Sequence, residues 1–307
     1  ITFVFLINNV LTVWFEWPGI KKLFSHHGLF GFKKLSKPLE DSVLTFAYIQ
    51  LFFYFISIIF AIFYVLKSIK QTLETDSKIL TNFTAYIIRS SFWAVMIVGI
   101  ADLLISFMVV EKLVEPILGE TLKVKLVIPA FRITFVHFPL ILISFVIGYF
   151  TRTVGFIWLA VLVVASEFFI VLSRFIFEYE QAFQGDLVRF WYSALYLFAS
   201  AYALMHEGHV RVDVLYTGFS ERKKAWTNSI GSLLLGIPLC LITLFLGMGG
   251  KASIINGPVI SFEITQQGSN GLYLLYLMAV YLAVFATTML IQFTSYFMGS
   301  SYKLLNR

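Results

Sequence analysis

The chain has 307 residues, of which 59% are hydrophobic and only 13% charged, and its formal net charge is +6. Soluble domains carry about 25% charged residues, and the 34 phenylalanines present more apolar surface than a water-soluble fold of this length can hide, whereas a bilayer solvates it directly. The single cysteine, Cys240, leaves neither an intrachain disulfide nor a thiolate metal cluster.

A bilayer-spanning helix needs roughly 20 mostly apolar residues, and eight stretches qualify: about 1–16, 43–66, 84–110, 133–150, 153–177, 187–205, 226–248 and 271–298. The first reads as a truncated helix in a sequence that opens on Ile1. After it, "KKLFSHHGLFGFKKL" is amphipathic and suits a helix lying flat in the membrane surface. The basic run Lys21, Lys22, Lys33, Lys34 and Lys37 sits between two spans, which suits lipid headgroups and argues against nucleic acid. His26 and His27 fall in the same surface segment and read as surface residues rather than metal ligands.

The third span holds Arg89 and Asp102 on roughly opposite helix faces at 100° per residue. They cannot readily pair with each other, so each needs a partner elsewhere, and a structural hydrogen bond is the simpler use than a proton relay. The fourth span contains His137 and Pro139 and is joined to the fifth by a few residues around Arg152. The two should form a tight hairpin, unless one of them is not a full span. On the fifth, Glu167 and Arg174, with Glu178 beyond, share one helix face; they form either a polar seam toward a partner helix or an intrahelical Arg174–Glu178 pair. The sixth ends in "ALMHEGHVRVDVLY" (203–216), where Gly208 is suited to end the helix and 209–214 alternates polar and apolar residues. The long segment 249–270 separates the last two spans. Neither strand alternation nor an internal repeat is present, so the fold class is an all-α integral membrane protein.

Lys and Arg in short loops mark the cytoplasmic side. Arg211, Arg222, Lys223 and Lys224 follow the sixth span and Lys303 and Arg307 end the chain, while 249–270 carries only Lys251. Loop 206–225 and the C-terminus are thus expected inside and 249–270 outside. The same count through eight spans puts the five-lysine segment outside, against the rule, so one N-terminal segment is expected to be re-entrant or interfacial. Soluble-enzyme signatures such as G-x-S-x-G, the phosphate-binding loop and H-E-x-x-H are absent; "HEGH" spaces its histidines three apart rather than four.

"HEGHVRVDVLY" followed by "FSERKKAW" closely resembles the signature of the small membrane subunit of TRAP transporters, the DctQ family. Arg174-Phe175 matches the arginine–aromatic pair that ends the family's first helix, and Asp186 stands where the family usually has Glu. The resemblance covers 151–307 as a four-helix unit of four transmembrane helices. It leaves 1–150 as an N-terminal extension of about four membrane segments that the family pattern does not explain. It implies a non-enzymatic subunit of a bacterial or archaeal inner-membrane complex. Its partners would be a large DctM-type permease, a periplasmic DctP-type solute-binding protein and membrane lipids. The large permease would move an organic solute, such as a carboxylate, by sodium symport. No cofactor is expected on this chain, and sodium ions are expected at the large permease. In that frame Glu207, Gly208, His209, Arg211 and Asp213, with Asp186, Glu167 and Arg174, form the structural motif and partner interface. Glu263, Gln266 and Gln267 are the candidates for receptor contact. Two other readings stay open. One is a free-standing carrier or channel using Asp102, Glu167 and Arg174. The other is a membrane anchor of a haem-containing redox complex, against which the expected difference in depth between His137 and His206 argues.

Overall fold

The computed structural model describes residues 1–152, 156–206, 216–264 and 271–306. Among them the chain is helical, without a strand, and it divides into two compact units: 1–72 with 250–252, and 73–249 with 253–307. The helices in chain order are α1 (Thr2–Trp14), α2 (Gly19–His27), α3 (Asp41–Lys67), α4 (Leu73–Val110), α5 (Val114–Leu118) and α6 (Glu120–Leu126). They continue with α7 (Pro129–Phe150), α8 (Phe156–Phe177), α9 (Ala182–Met205), α10 (Glu221–Gly247), α11 (Asn256–Ile260) and α12 (Leu275–Leu305).

Six of these, α3, α4, α7, α8, α10 and α12, are long and apolar enough to cross a membrane, and α1 with α2 makes a seventh if that pair, bent by 82°, is one broken span. The count of eight from the sequence is not reproduced. The stretch 187–205 lies on α9, a 24-residue helix whose run is broken by Gln184, Asp186 and Arg189. One face of α9 is instead packed into its unit through Leu187, Phe190, Trp191, Ala194 and Phe198. The expected division at residue 150 follows the family resemblance, whereas the packing divides at Thr72.

In the first unit a single amide organises the bend. Gln50 on α3 is fully buried. Its Oε1 accepts from the Gly19 amide at 2.8 Å and its Nε2 donates to Thr12 Oγ1 at 3.0 Å, while Asn8 Nδ2 donates to the Gln50 carbonyl at 3.1 Å. Buried polar groups need partners, and here the partners come from both sides of the α1–α2 turn. Gly19, with φ of 75°, makes that turn possible. The amphipathic stretch forms a helix only as far as His27, closed by left-handed Gly28.

In the second unit α4 packs against α7, α9 and α12, α8 packs against α9, and α10 against α12. The fourth and fifth expected spans are both full helices, but they lie on different neighbours, α7 on α4 and α8 on α9, rather than forming a hairpin. Phe92, Phe198, Tyr281 and Phe190 make an aromatic chain through the core, with ring centroids 5.0–5.6 Å apart. Helices close where a side chain is missing: a Cβ on Gly99 would stand 2.5 Å from Trp191 Nε1, which donates to the Val95 carbonyl at 3.2 Å.

Two helices carry a π-helical turn, Ile133–His137 in α7 and Ser232–Gly236 in α10. Each is followed within two residues by a proline, Pro139 and Pro238. Proline has no N–H, and its ring collides with the carbonyl four residues back. Widening the preceding turn accommodates both defects, and the Phe138 amide bonds the Ile133 carbonyl instead.

Candidate functional site

The π turn in α7 determines what α7 presents to α4. Five residues along a regular α-helix would put Arg132 and His137 about 140° apart. The wider turn brings both onto the face toward Asp102, where all three are essentially inaccessible: 1%, 0% and 0% exposed.

Arg132 Nε lies 2.5 Å from Asp102 Oδ1 as an ion pair. The guanidinium's hydrogen bonds run through Nη2, to the Asp102 carbonyl at 2.6 Å and Ser106 Oγ at 2.7 Å. The Tyr273 ring covers its face, 4.4 Å from Cζ. His137 is held at both nitrogens: Nε2 is 2.8 Å from Asp102 Oδ1 and Nδ1 is 3.1 Å from the Tyr276 hydroxyl. Asp102 Oδ2 accepts from the Tyr273 amide at 2.8 Å.

Beside this amide, Leu272 N donates to Asp186 Oδ2 at 3.1 Å. Two carboxylates from α4 and α9 therefore hold consecutive amides in the buried segment Leu272–Leu274 that leads into α12. α9 starts at a capping box in which the Gln181 amide donates to Gln184 Oε1 at 3.0 Å, which places Asp186 in the first turns, facing inward. Arg189 approaches Asp186 only to 3.9 Å from the exposed side. Glu263 sits at the same helix start: it is exposed, and its carbonyl accepts from the Tyr276 amide at 3.1 Å.

The other expected residues are placed as follows. Asp102 and Arg89 do not pair; Arg89 Nε donates to the Gly148 carbonyl at 3.4 Å. Glu167 and Arg174 are both exposed on α8. Arg174 pairs with Glu180 at 3.4 Å rather than with Glu178, which follows the helix end in a left-handed conformation with φ of 51°. Glu207, Gly208, His209, Arg211, Asp213, Gln266 and Gln267 lie outside the described residues. Among the described residues, no three His, Cys, Asp or Glu side chains gather as a metal site. With Nδ1 and Nε2 both engaged, His137 presents no nitrogen to a haem iron.

Sequence reasoning missed Arg132, which reads as a loop charge outside the fourth span, and the tyrosines 273 and 276. The available signal was Arg132 and His137 five apart with Pro139 just beyond.

Chemically this is a closed polar core. Each charge meets an opposite charge or a fixed dipole. Residues 160–297 match the family described as tripartite ATP-independent periplasmic transporters, DctQ component. This region belongs to the DctQ family. The match takes in Asp186, both carboxylate-bound amides and most of α12, whereas Asp102, Arg132 and His137 lie before it. DctQ proteins are the small subunits of TRAP transporters, which is what the match over 160–297 implies, and the six helices long and apolar enough to cross a membrane fit a multi-pass membrane protein. No curated protein and no solved structure matches the chain.

Proposed function

We propose that this chain is the static membrane partner of a large DctM-type permease, which it braces for sodium-driven uptake of an organic anion, such as a carboxylate, delivered by a periplasmic DctP-type receptor. The DctQ match over 160–297 carries this reading. The polar core supports a scaffold: Asp102, Arg132 and His137 satisfy one another in a buried cluster, whereas a carrier pathway needs groups that a solute or ion can reach. Asp102, Glu167 and Arg174 are also not brought together, which disfavours the free-standing carrier.

The surface of α8 supports a partner in the bilayer. Glu167 lies midway along Ile157–Phe177 on an exposed face, among Val164, Phe168 and Phe169. A carboxylate at that depth is costly against lipid and ordinarily faces protein. A helix of the large permease that donates a hydrogen bond to Glu167 relieves the cost. In this reading Arg211 and Asp213 serve to fix the loop after α9 at the cytoplasmic face, Glu207 and His209 serve as caps where Gly208 ends the helix, and Glu263, Gln266 and Gln267 are the candidates for receptor contact on the other side.

The test is to tag the C-terminus, extract the complex from its native membrane in mild detergent and identify what co-purifies by mass spectrometry. A large polytopic permease in near-equal amount is expected, and Glu167→Leu should lower its recovery. Recovery of the chain alone, or with redox subunits, would overturn the proposal.

A further inference from the structure

At the end of the second unit where α9 ends and α10 begins, a cavity of about 400 Å³ opens between α4, α10 and α12. Much of its wall is hydrophilic. Tyr216, Asn228 and Tyr296 form one side, with Asn228 Nδ2 donating to both tyrosine hydroxyls at 2.9 and 3.1 Å. Ser77, Thr81 and Ser295 form another, a hydroxyl cluster with separations of 2.7–2.9 Å. Gln292 lines the floor, 3% exposed, and its Oε1 has no hydrogen-bond partner among the described residues.

Two lysines flank the cavity. Lys224 is partly buried, 3.2 Å from Glu221 and over the Tyr216 ring at 5.8 Å. Lys303 is exposed and meets no carboxylate among the described residues. Among the described lining residues Glu221 is the one acid against two lysines, so this lining carries an excess of positive charge. Arg222, Lys223 and the half-exposed Trp226 stand beside it on α10, a basic and aromatic combination typical of the bilayer boundary.

The geometry points to a binding site for a phosphate ester that carries free hydroxyl groups, with phosphoglycerol as its simplest form. The lysines meet the phosphate, while the carboxamides and hydroxyls meet the polyol. The cavity lies where three membrane helices end, which places an anionic phospholipid headgroup within reach, its acyl chains along the exposed apolar faces. A soluble glycerol phosphate carries the same chemistry. The inference rests on side chains of the second unit alone and stands whether or not the chain braces a permease.

The full chain, purified in mild detergent, is titrated with short-chain phosphatidylglycerol, short-chain phosphatidylcholine and sn-glycerol 3-phosphate, and binding is read by native mass spectrometry. Phosphatidylglycerol should bind more tightly than phosphatidylcholine, and Lys303→Ala should weaken it about fivefold, as for one basic side chain acting on an anionic headgroup. Lys303→Glu should weaken it further and Lys303→Arg should retain it. Since Lys303 is exposed, these variants should fold; unchanged thermal unfolding verifies that. Lysine-dependent binding of glycerol phosphate as tight as that of the lipid would support the site with a soluble ligand. Equal binding of both lipids with no response to glycerol phosphate, or phosphatidylglycerol binding unchanged by Lys303→Glu, would overturn it.

Discussion

Asp102 and Asp186 accept from successive backbone amides, Tyr273 at 2.8 Å and Leu272 at 3.1 Å, and so anchor the start of α12 from two different helices. Asp186 lies inside the DctQ match and Asp102 well before it. From Leu73 onward, residues N-terminal to the matched region therefore share one core with it, and the last DctQ helix is seated by a residue that the family match does not include. An isolated 151–307 fragment would expose the Tyr273 amide and the α12 face that meets α4.

Asp102→Asn should be among the most damaging substitutions in the chain. It leaves Arg132 buried without its counter-charge, a change that costs about 3–5 kcal/mol. Removing both charges, as Asp102→Leu with Arg132→Met, should recover much of the loss, because replacing a whole buried pair is often neutral. Thermal unfolding of the two single variants and the double variant in detergent gives the coupling directly. Additive losses would show that the pair does not act as a unit.

Asp186→Ala removes a charge-assisted hydrogen bond and should cost about 1.5–3 kcal/mol. Asp186→Asn keeps an acceptor of the same reach and should lose less. The same unfolding assay ranks them; equal losses would mean that the negative charge, rather than the contact with Leu272, is what the position requires.

How far the sequence disclosed this arrangement depended on the range of each interaction. Composition carried the membrane class, because apolar content is a property of the whole chain, and the lack of strand alternation along the spans made it all-α. The placement of Asp102 and Arg89 on opposite faces was legible from periodicity, and both indeed have separate partners. The partner of Asp102 was not legible: Arg132 is 30 residues away and reaches it only through a π turn that shifts the helix phase. α9 was counted as a span from its apolar residues, but its faces differ, and Gln184, Asp186 and Arg189 mark a helix that packs inside its unit on one side. The end of α4 at Val110 was legible, because the apolar run of the third span stops there, but the cap that closes it was not, because its left-handed residue is a lysine.

That lysine should be improvable. Lys112 has φ of 56°, and the Leu113 and Lys112 amides bond the Met108 and Val109 carbonyls at 2.8 and 3.2 Å, the two hydrogen bonds of a Schellman motif. Glycine adopts that conformation without the steric cost of a Cβ, which is about 1–2 kcal/mol. Lys112→Gly should therefore raise stability by about 1 kcal/mol after the glycine's larger unfolded-state entropy is counted. Lower thermal stability would mean that the lysine side chain does more than tolerate the turn.

Alkaline pH should loosen the tie between the ends of α4 and α8. Tyr179 donates to Glu111 Oε1 at 2.7 Å, and burial, with the hydrogen bond to Glu111 second, pushes its hydroxyl up to about 12. The unfolded chain has the ordinary tyrosine value of about 10. A folded value above the unfolded one contributes stability that is complete below pH 10 and lost as the pH rises from about 10 to about 12. Tyr179→Phe should flatten that part of the stability profile; an unchanged alkaline slope would assign the loss to other groups.

A pair of glycine substitutions tests the close approach of α7 to α4 against an internal control. A Cβ on Gly148 would collide with the Ser90 hydroxyl and lie 2.9 Å from Ser90 Cα, a backbone atom that cannot rotate away. α7 would have to move off α4, carrying the Arg132–His137 face with it. Overpacking of this kind costs about 1–3 kcal/mol. Gly185, inside α9, has no atom within 4 Å of its would-be Cβ, so alanine there should gain up to about 1 kcal/mol of helix propensity. Gly148→Ala and Gly185→Ala should accordingly shift the unfolding midpoint in opposite directions. A rise at both positions would show that propensity, and not the approach of α7 to α4, governs Gly148.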